Sequence, residues 1–376
     1  GFAVEATGKI WFDGAGDTYI HEQAANKVDF YVGNDTRFVI DANSKISLSN
    51  NDLGTSNTII GKNAGTLLDA GSNYNVFIGE SVSTASMNDA IDNTAVGYSA
   101  LSALITGDYN VAIGSSAALT TNYGQRNTVV GHQAFKLNTS GSYNTAVGRS
   151  ALFNNLTANN NTAVGYETLY ENDTGTQNTA VGMFALDNNS TADFSTAVGY
   201  NALTTANVDG ATAVGHSALA LTTGTGNTAV GYLANTNQTS GIENTYVGYA
   251  AGSGSAADAV TRYNTGIGHK ALTSIRGGDR NTAVGANAGL VVTSGLYNVI
   301  MGYNAAAALL TGTHNVIIGD SAGIATTLVD KTVLIGQGAG AGTLTAAADG
   351  TVAIGMNAGN ALTSGAGNVA VGSGSM

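Results

Sequence analysis

Hydrophobic and polar residues recur along most of the chain in one order, and that order ends on a glycine. The stretch "NTAVGYSAL", residues 93–101, reads asparagine, threonine, alanine, valine and glycine before a short apolar segment. "NTAVGRSAL" at 144–152 and "NTAVGYETL" at 161–169 repeat it closely. Because side chains alternate between the two faces of a strand, the pattern predicts a short strand that is apolar on both faces and buried on both sides.

The last glycine of each phrase gives the period, which is about 17 residues over nineteen units. A helical repeat usually needs about 33 residues or more, and the glycine, asparagine and threonine content disfavours a single helix in each unit. The period therefore predicts an all-β fold: a β-solenoid, or parallel β-roll, of about 19 coils, each with two short strands and two turns. These glycines are Gly61, Gly79, Gly97, Gly114, Gly131, Gly148, Gly165, Gly182, Gly199, Gly215, Gly231, Gly248, Gly268, Gly285, Gly302, Gly319, Gly336, Gly355 and Gly372.

We number the positions of each coil from this glycine, which is position 0. Position −4 is asparagine in 15 of the 19 coils, which predicts a ladder of stacked amides. Position +3 is alanine in 16 coils, which suits a narrow interior. Position −1 is aliphatic or methionine and position −3 is threonine or valine, and we expect both to face the core. The residues chosen to represent this structural repeat are Asn93, Val96, Gly97, Asn110, Ile113, Gly114, Asn144, Val147, Gly148, Asn161, Val164, Gly165, Asn281, Val284 and Gly285.

Position −2 lies on the opposite face of the strand and never carries a charge. In a lone stack of coils this face would be exposed, and large exposed apolar patches mark interaction surfaces. The sequence therefore predicts self-association through position −2, as a parallel homotrimer around a threefold axis. A dimer or a flanking partner would also bury this stripe. The large residues of the predicted oligomer face are Ile59, Phe77, Val129, Tyr246, Ile300, Ile317 and Leu334.

Residues 1–50 differ from the repeat, which occupies residues 51–376. "KIWFDGAGDTYIHEQ" reads as short alternating strands joined by glycine and aspartate turns, so we predict a small antiparallel β segment there. The chain starts at Gly1 and shows no signal peptide, and we expect it to continue, or to have been processed, beyond both ends.

The composition of the chain mainly excludes certain kinds of site and partner. The chain has no proline, as a nearly continuous hydrogen-bond ladder demands, and no cysteine, which excludes a thiolate metal site. The net charge of −12 makes nucleic acid a poor partner, because a phosphate-binding surface needs clustered lysine and arginine. No apolar run is long enough to cross a bilayer, so we predict no membrane insertion.

Several phrases resemble the head repeats of trimeric autotransporter adhesins, which form left-handed parallel β-rolls and assemble as trimers. They are "NVAIG" (110–114), "NVIIG" (315–319) and "TVAIG" (351–355). The longer "NTAVGYxAL…TTGxx" form is more similar to repeats of bacteriophage tail fibres and tail-fibre-like surface proteins. The resemblance covers residues 57–375. It implies a non-enzymatic, adhesive extracellular fibre, on a virion tail or a cell surface, that projects a multivalent surface for attachment to a host or another surface. The alternatives are a structural filament that assembles end to end and a polysaccharide-degrading fibre.

The titratable residues predict no catalytic residue, cofactor or metal. The loop acids stand at varying offsets rather than as paired carboxylates. His132 and His216 are five coils apart, about 24 Å at the ladder spacing, too far to share one metal ion. The acids are Asp108, Asp173, Asp187, Asp193, Asp209 and Asp279.

Two columns of tyrosine, at positions +1 and −5, are candidates for binding. Aromatic rings can stack on sugars, so a host-surface glycan or another surface receptor is the expected partner besides the chain itself; the alternative is a ladder that stabilises the coil edges. The candidate contacts are Tyr98, Tyr166, Tyr200, Tyr232, Tyr249 and Tyr303.

Three other features complete the prediction. Binding residues are also expected in the irregular loops 252–264 and 343–350. The threonine column at position −3 is similar to the columns of ice-binding solenoids. We expect it to be buried, because it shares its face with the aliphatic residue at position −1.

Overall fold

The computed structural model describes residues 9–12, 18–24, 27–32, 35–40, 46–47, 54, 56–205, 207–254 and 260–376. The chain forms two compact units, residues 1–158 and 159–376, and each is described by itself. In the described residues the fold is all-β, with one 3₁₀ turn at Ala346–Ala348 and no α-helix. The predicted fold class is confirmed.

The N-terminal segment is a small antiparallel sheet in which each strand pairs with the next along the chain. Tyr19 and Tyr31 face each other on two neighbouring strands, and their buried rings stack with centroids 4.3 Å apart. This confirms the predicted antiparallel segment. Its strands are β1 (Lys9–Trp11), β2 (Tyr19–Ala24), β3 (Lys27–Val32), β4 (Asp35–Ile40) and β5 (Ile46–Ser47).

The repeated phrase forms one three-residue strand in every coil, at positions −3 to −1. In residues 1–158 these strands are β6 (Thr58–Ile60), β7 (Val76–Ile78), β8 (Thr94–Val96), β9 (Val111–Ile113), β10 (Thr128–Val130) and β11 (Thr145–Val147). In residues 159–376 they are β12 (Thr162–Val164), β13 (Thr179–Val181), β14 (Thr196–Val198), β15 (Thr212–Val214), β16 (Thr228–Val230), β17 (Thr245–Val247), β18 (Thr265–Ile267), β19 (Thr282–Val284), β20 (Val299–Met301), β21 (Val316–Ile318), β22 (Val333–Ile335), β23 (Val352–Ile354) and β24 (Val369–Val371).

The strands of each unit form a parallel ladder. Every strand pairs with the next in register, so that Thr282, for example, lies opposite Val299. Parallel pairing of consecutive coils is the defining feature of a β-solenoid, and this prediction is confirmed.

The prediction of two strands per coil is wrong, because the rest of each coil is built from turns. Positions +2, +4 and −5 adopt left-handed backbone angles; Ser99, Leu101 and Tyr109 have φ of 54°, 48° and 58°. Such angles interrupt an extended strand. The turns still bond from coil to coil, and the Leu101 N–H donates to the Ala117 carbonyl at 3.1 Å.

The glycine at position 0 is required by both backbone angle and space. Gly182 has φ of +130°, and a Cβ there would lie 2.6 Å from the carbonyl oxygen of Gly199 in the next coil. Only glycine adopts this angle readily, and only glycine lets two backbones approach so closely. This explains why the phrase ends on glycine in every coil.

The two strand faces are the reverse of the prediction, and the assignment of position −2 to an exposed oligomer face is wrong. Phe77, Val129, Tyr246, Ile300, Ile317 and Leu334 are at most 1% exposed within a single chain, and Ile59 is half-buried. Positions −3 and −1 point outward instead; Val181 and Val214 are both 37% exposed. The reason is strand alternation: the buried asparagine at position −4 shares a face with position −2, so both point into the coil.

In most coils, large and small residues are exchanged between positions −2 and +4 of the core. Where position −2 is alanine, position +4 is commonly a buried leucine, as Leu186 is between the coils of Ala180 and Ala197. Where position −2 is large, position +4 beside it is commonly glycine. For example, a Cβ on Gly289 would lie 3.1 Å from the Ile300 side chain of the next coil. Close packing requires this exchange.

Candidate functional site

Fourteen of the fifteen asparagines at position −4 are buried, and this column bonds from coil to coil. The Asn281 Oδ1 accepts from the backbone N–H and the Nδ2 of Asn298 at 3.1 and 2.9 Å. Its own Nδ2 donates to Asn264 Oδ1 at 3.0 Å and to the Gly295 carbonyl at 2.8 Å. The predicted amide ladder therefore holds coils together.

A second amide column, at position +7, was not anticipated. Asn138, Asn155, Asn172 and Asn189 occupy it in four successive coils and are fully buried. The Asn189 Nδ2 donates to the Asn172 Oδ1 at 2.8 Å. The seventeen-residue spacing of these asparagines was visible in the sequence and would have placed a further buried position in the loop.

The expectation that the loop acids stand at varying offsets is wrong for four of the six, which share position −6 and accept hydrogen bonds from the preceding coil. The Asp108 carboxylate accepts from the Ile91 N–H at 2.9 Å, and the Asp279 carboxylate accepts from the Arg262 N–H at 2.7 Å. Asp193 and Asp209 make the same kind of bond. These carboxylates are anchored to backbone N–H groups of the neighbouring coil.

Asp187 lies outside this column, and the pKa of its carboxyl is raised. Burial, together with the negative charges of Glu167 and Glu171, raises the pKa of its carboxyl to about 6. Three like charges in one place are a feature of solvated acidic clusters as well as of functional sites. In the part of the chain that the structure describes, no group of histidine, aspartate and glutamate side chains is arranged to hold a metal ion.

The tyrosines at position +1 take part in a ladder of seven rings in residues 166–269. Tyr200, His216, Tyr232, Tyr249 and His269 follow one another with ring centroids 5.0 to 5.5 Å apart. Tyr166 and Phe184 extend the ladder with edge-on contacts. Because its neighbours cover both faces of Tyr232, that ring offers a ligand its edge and hydroxyl rather than a face.

The remaining two candidate tyrosines lie outside that ladder. Tyr98 and Tyr303 are 57% and 58% exposed, and the coils next to Tyr303 carry Ala286 and Asp320 at position +1. Their ring faces are more accessible than those of the stacked tyrosines. Contact with a sugar stays a prediction for all six residues.

The tyrosines at position −5 combine with arginine. The Arg126 guanidinium lies between the rings of Tyr109 and Tyr143, 5.3 and 5.4 Å from their centroids. The Arg280 guanidinium lies in the same way between Tyr263 and Tyr297. Recurrence of tyrosine and arginine at one position every seventeen residues is the sequence signal for these stacks, which sequence analysis missed.

The outward positions −3 and −1 form a third surface, which we call the outer strand face. All of its residues are threonine, valine, isoleucine or methionine. Side chains along it remain accessible: Val198, Ile267 and Met301 are 36%, 40% and 40% exposed. Threonine is therefore not buried as predicted, and Thr179 is exposed.

The first irregular loop, 252–264, contributes Tyr263 to the stack around Arg280. Part of the first loop, residues 255–259, lies outside the described residues, and its end is held by a bridge between Ile242 and Arg262. The second contains the 3₁₀ turn at Ala346–Ala348. In the described part of the chain, no helix has the length and apolar character to span a membrane.

Comparison of the chain with protein-family models, with curated proteins and with solved structures finds no match.

Proposed function

We propose that this chain is the repeat region of a non-enzymatic, extracellular attachment fibre that assembles as a parallel homotrimer. The observation that carries the proposal is the outer strand face, which consists of small apolar and threonine side chains in every coil of both units and carries no charge. Water contacts with such a surface are unfavourable, so a protein that retains it in coil after coil is expected to cover it.

A second copy of the same chain is the partner that best matches the outer strand face. The outer strand face repeats at the inter-strand spacing of about 4.8 Å, so only a surface with the same repeat stays in contact along its length. The resemblance to trimeric adhesin heads and tail fibres supports three copies. Several copies around one axis add avidity to weak surface contacts, which suits attachment.

The acids support a non-enzymatic role in this proposal. The carboxylates at position −6 are committed to backbone N–H groups. A catalytic pair would need two carboxylates directed at one substrate atom.

Cysteine cross-linking tests the assignment of the outer strand face. The chain has no cysteine, so Val214→Cys places a single thiol in the middle of that face, and Thr225→Cys places a control thiol on an exposed turn. With a short bismaleimide we expect linked chain pairs from the first variant and few from the second. Around a threefold axis one thiol in about three stays unlinked, whereas a dimer links them all. Equal linking of both variants would contradict the proposal.

Ice binding is a second candidate, because the structure places threonine on the outside. Eight successive coils from Thr162 to Thr282 carry threonine at position −3 with an aliphatic residue two positions later. This regular array is similar to the surface of ice-binding solenoids. A monomeric chain that produces thermal hysteresis would favour this function over the fibre. A trimer without hysteresis would exclude it.

A further inference from the structure

The lysines and arginines of the second unit are concentrated in one part of it. Residues 159–261 contain eight acids and no lysine or arginine. Residues 262–331 contain five basic residues and three acids, in a chain whose net charge is −12. The second unit therefore has a local basic surface that the overall charge conceals.

Part of this surface is an ordered ladder at position −5. Tyr263, Arg280, Tyr297, His314 and Lys331 occupy this position in five successive coils, and all five are exposed. Their φ values lie between 56° and 59°, so the backbone of each coil directs the side chain outward in the same way. We call these five residues the cation–aromatic ladder.

The arginine in this ladder is held in one orientation. Its guanidinium carbon is 5.2 Å from the Tyr263 ring centroid and 5.3 Å from that of Tyr297, and its Nη1 donates to the Tyr297 hydroxyl at 3.0 Å. His314 stacks on the other side of Tyr297 with centroids 4.8 Å apart. A side chain ordered in advance loses less conformational entropy when it binds.

The rings cover the two faces of the guanidinium and leave its edge, which carries the N–H donors, directed to the surroundings. A guanidinium edge is the group best suited to hold a carboxylate or sulfate through two parallel hydrogen bonds. The neighbouring tyrosine hydroxyl and imidazole are matched to sugar hydroxyls. We propose that the cation–aromatic ladder binds an acidic polysaccharide, an inference that rests on the proposed attachment function and names its receptor class.

The spacing of the charges favours an acidic polysaccharide over nucleic acid. Arg280 and Lys331 are three coils apart, about 14 Å at the ladder spacing. A nucleic acid strand carries a phosphate about every 3.4 Å and needs a much denser row of cations. A polysaccharide with widely spaced acid groups matches this ladder.

Two acids beside the ladder, Asp279 and Asp330, form their hydrogen bonds with residues outside the ladder. Asp279 accepts from the Arg262 N–H at 2.7 Å and forms an ion pair with the Arg262 guanidinium at 3.9 Å. Asp330 accepts from the Thr313 N–H at 2.7 Å and from its hydroxyl at 3.0 Å. Glu243 stands at position −5 of the coil before Tyr263 and limits the ladder on that side.

The first unit contains a matched control. Arg126 is stacked between Tyr109 and Tyr143 with the same geometry, and its Nη1 donates to the Tyr143 hydroxyl at 2.7 Å. An acid precedes both stacks at position −5, Asp92 in one case and Glu243 in the other. The difference lies in the two coils that follow, which carry Asn160 and Gln177 after Tyr143 where the ladder has a histidine and a lysine. If stacking only stabilises the coils, Arg126 and Arg280 have the same role.

Binding of the whole chain to immobilised polygalacturonate, heparin and neutral dextran tests the proposal. Arg280→Gln and Lys331→Gln remove the charges, and Arg126→Gln is the control. Glutamine fits this position, because Gln177 occupies it with φ of 58°. We expect binding to at least one acidic glycan and not to dextran. The Arg280 and Lys331 variants should each lose about tenfold or more in affinity, and the Arg126 variant should bind like the unaltered chain.

Salt provides a second readout, since the Debye length falls from about 30 Å at 0.01 M to about 3 Å at 1 M. Acidic-glycan binding should weaken strongly over this range. Binding to dextran, equal losses in the Arg126 and Arg280 variants, stronger binding to single-stranded DNA, or no binding to either acidic glycan would overturn the proposal. If the chain is a trimer but binds no acidic glycan, the proposed glycan binding is refuted and the proposed trimer stands. If the chain is a monomer but binds an acidic glycan, the proposed trimer is refuted and the glycan binding stands.

Discussion

The exchange of volume between positions −2 and +4 predicts that two destabilising substitutions will compensate each other. Ile300→Ala alone removes a fully buried side chain and should cost about 2–5 kcal/mol. Gly289→Leu alone adds a side chain where even a Cβ would lie only 3.1 Å from Ile300 and from Leu272. Overpacking of this kind should cost about 1–3 kcal/mol.

The double variant should be close to the unaltered protein in stability. It recreates the arrangement around Leu186, which has φ of 51° and lies beside alanines at position −2. Because total volume is conserved, we expect a net cost below about 1.5 kcal/mol, and therefore a favourable coupling energy of at least about 1.5 kcal/mol. Gly289→Leu combined with the distant Leu186→Ala is the control, and those two costs should add within about 0.5 kcal/mol.

Thermal unfolding at one fixed protein concentration measures these differences, since an associating chain has a concentration-dependent Tm. Stacked repeats do not always unfold in one step. Hydrogen exchange at the Gly302 N–H, which donates to the Val284 carbonyl at 2.8 Å, therefore reports the local opening free energy of the same coils. Additive costs in the Ile300 and Gly289 pair would refute the account of the core.

Three further substitutions test other parts of the coil. Asn281→Ala should lower the free energy of unfolding by at least about 2 kcal/mol because it leaves buried groups without partners. Asn368→Ala should have little effect in the same denaturation assay, because this asparagine is half-buried and its side-chain hydrogen bonds are exposed. Gly182→Ala should cost about 2 kcal/mol or more and lower Tm, and Gly210→Ala, where nothing lies within 4 Å, about 1 kcal/mol. The raised pKa of Asp187, about 6 when folded, means that its proton is held more tightly in the folded state, so stability should fall as pH rises from about 4 to 6. Asp187→Asn should remove that part of the pH dependence of Tm, and an unchanged profile would contradict the assignment.

The period, the position of the strand and the amide ladder could be predicted from the sequence because each repeats at one spacing. Asn281 and its equivalents show one residue type at one position of successive coils, and parallel in-register stacking is the arrangement that brings identical residues together. Glycine at position 0 also recurs at one spacing, and it indicates a backbone angle that other residues rarely adopt.

The prediction of which strand face points into the coil was wrong. Both faces are apolar, so hydrophobicity alone could not distinguish the buried face from the exposed one. The sizes of the residues distinguish them: Tyr246 at position −2 coincides with Gly252 at position +4, where a Cβ would collide with the tyrosine ring. Reciprocal sizes at two positions indicate that they share one interior.

The turn conformations could not be derived from residue preferences. Leucine rarely adopts a left-handed backbone angle, yet Leu101, Leu152 and Leu219 have φ of 48–51°. Burial of the side chain and bonds between coils outweigh the local preference, and such tertiary effects are not visible in one coil. The stacks around Arg126 and Arg280 likewise exist only once coils are placed in register.

The solution mass of the chain, measured by light scattering across a range of concentrations, tests the central claim most directly. Trimerisation through the outer strand face predicts a stable species of about three times 37.6 kDa. A species of 37.6 kDa at all concentrations would contradict it, because the outer strand face would then remain exposed in water.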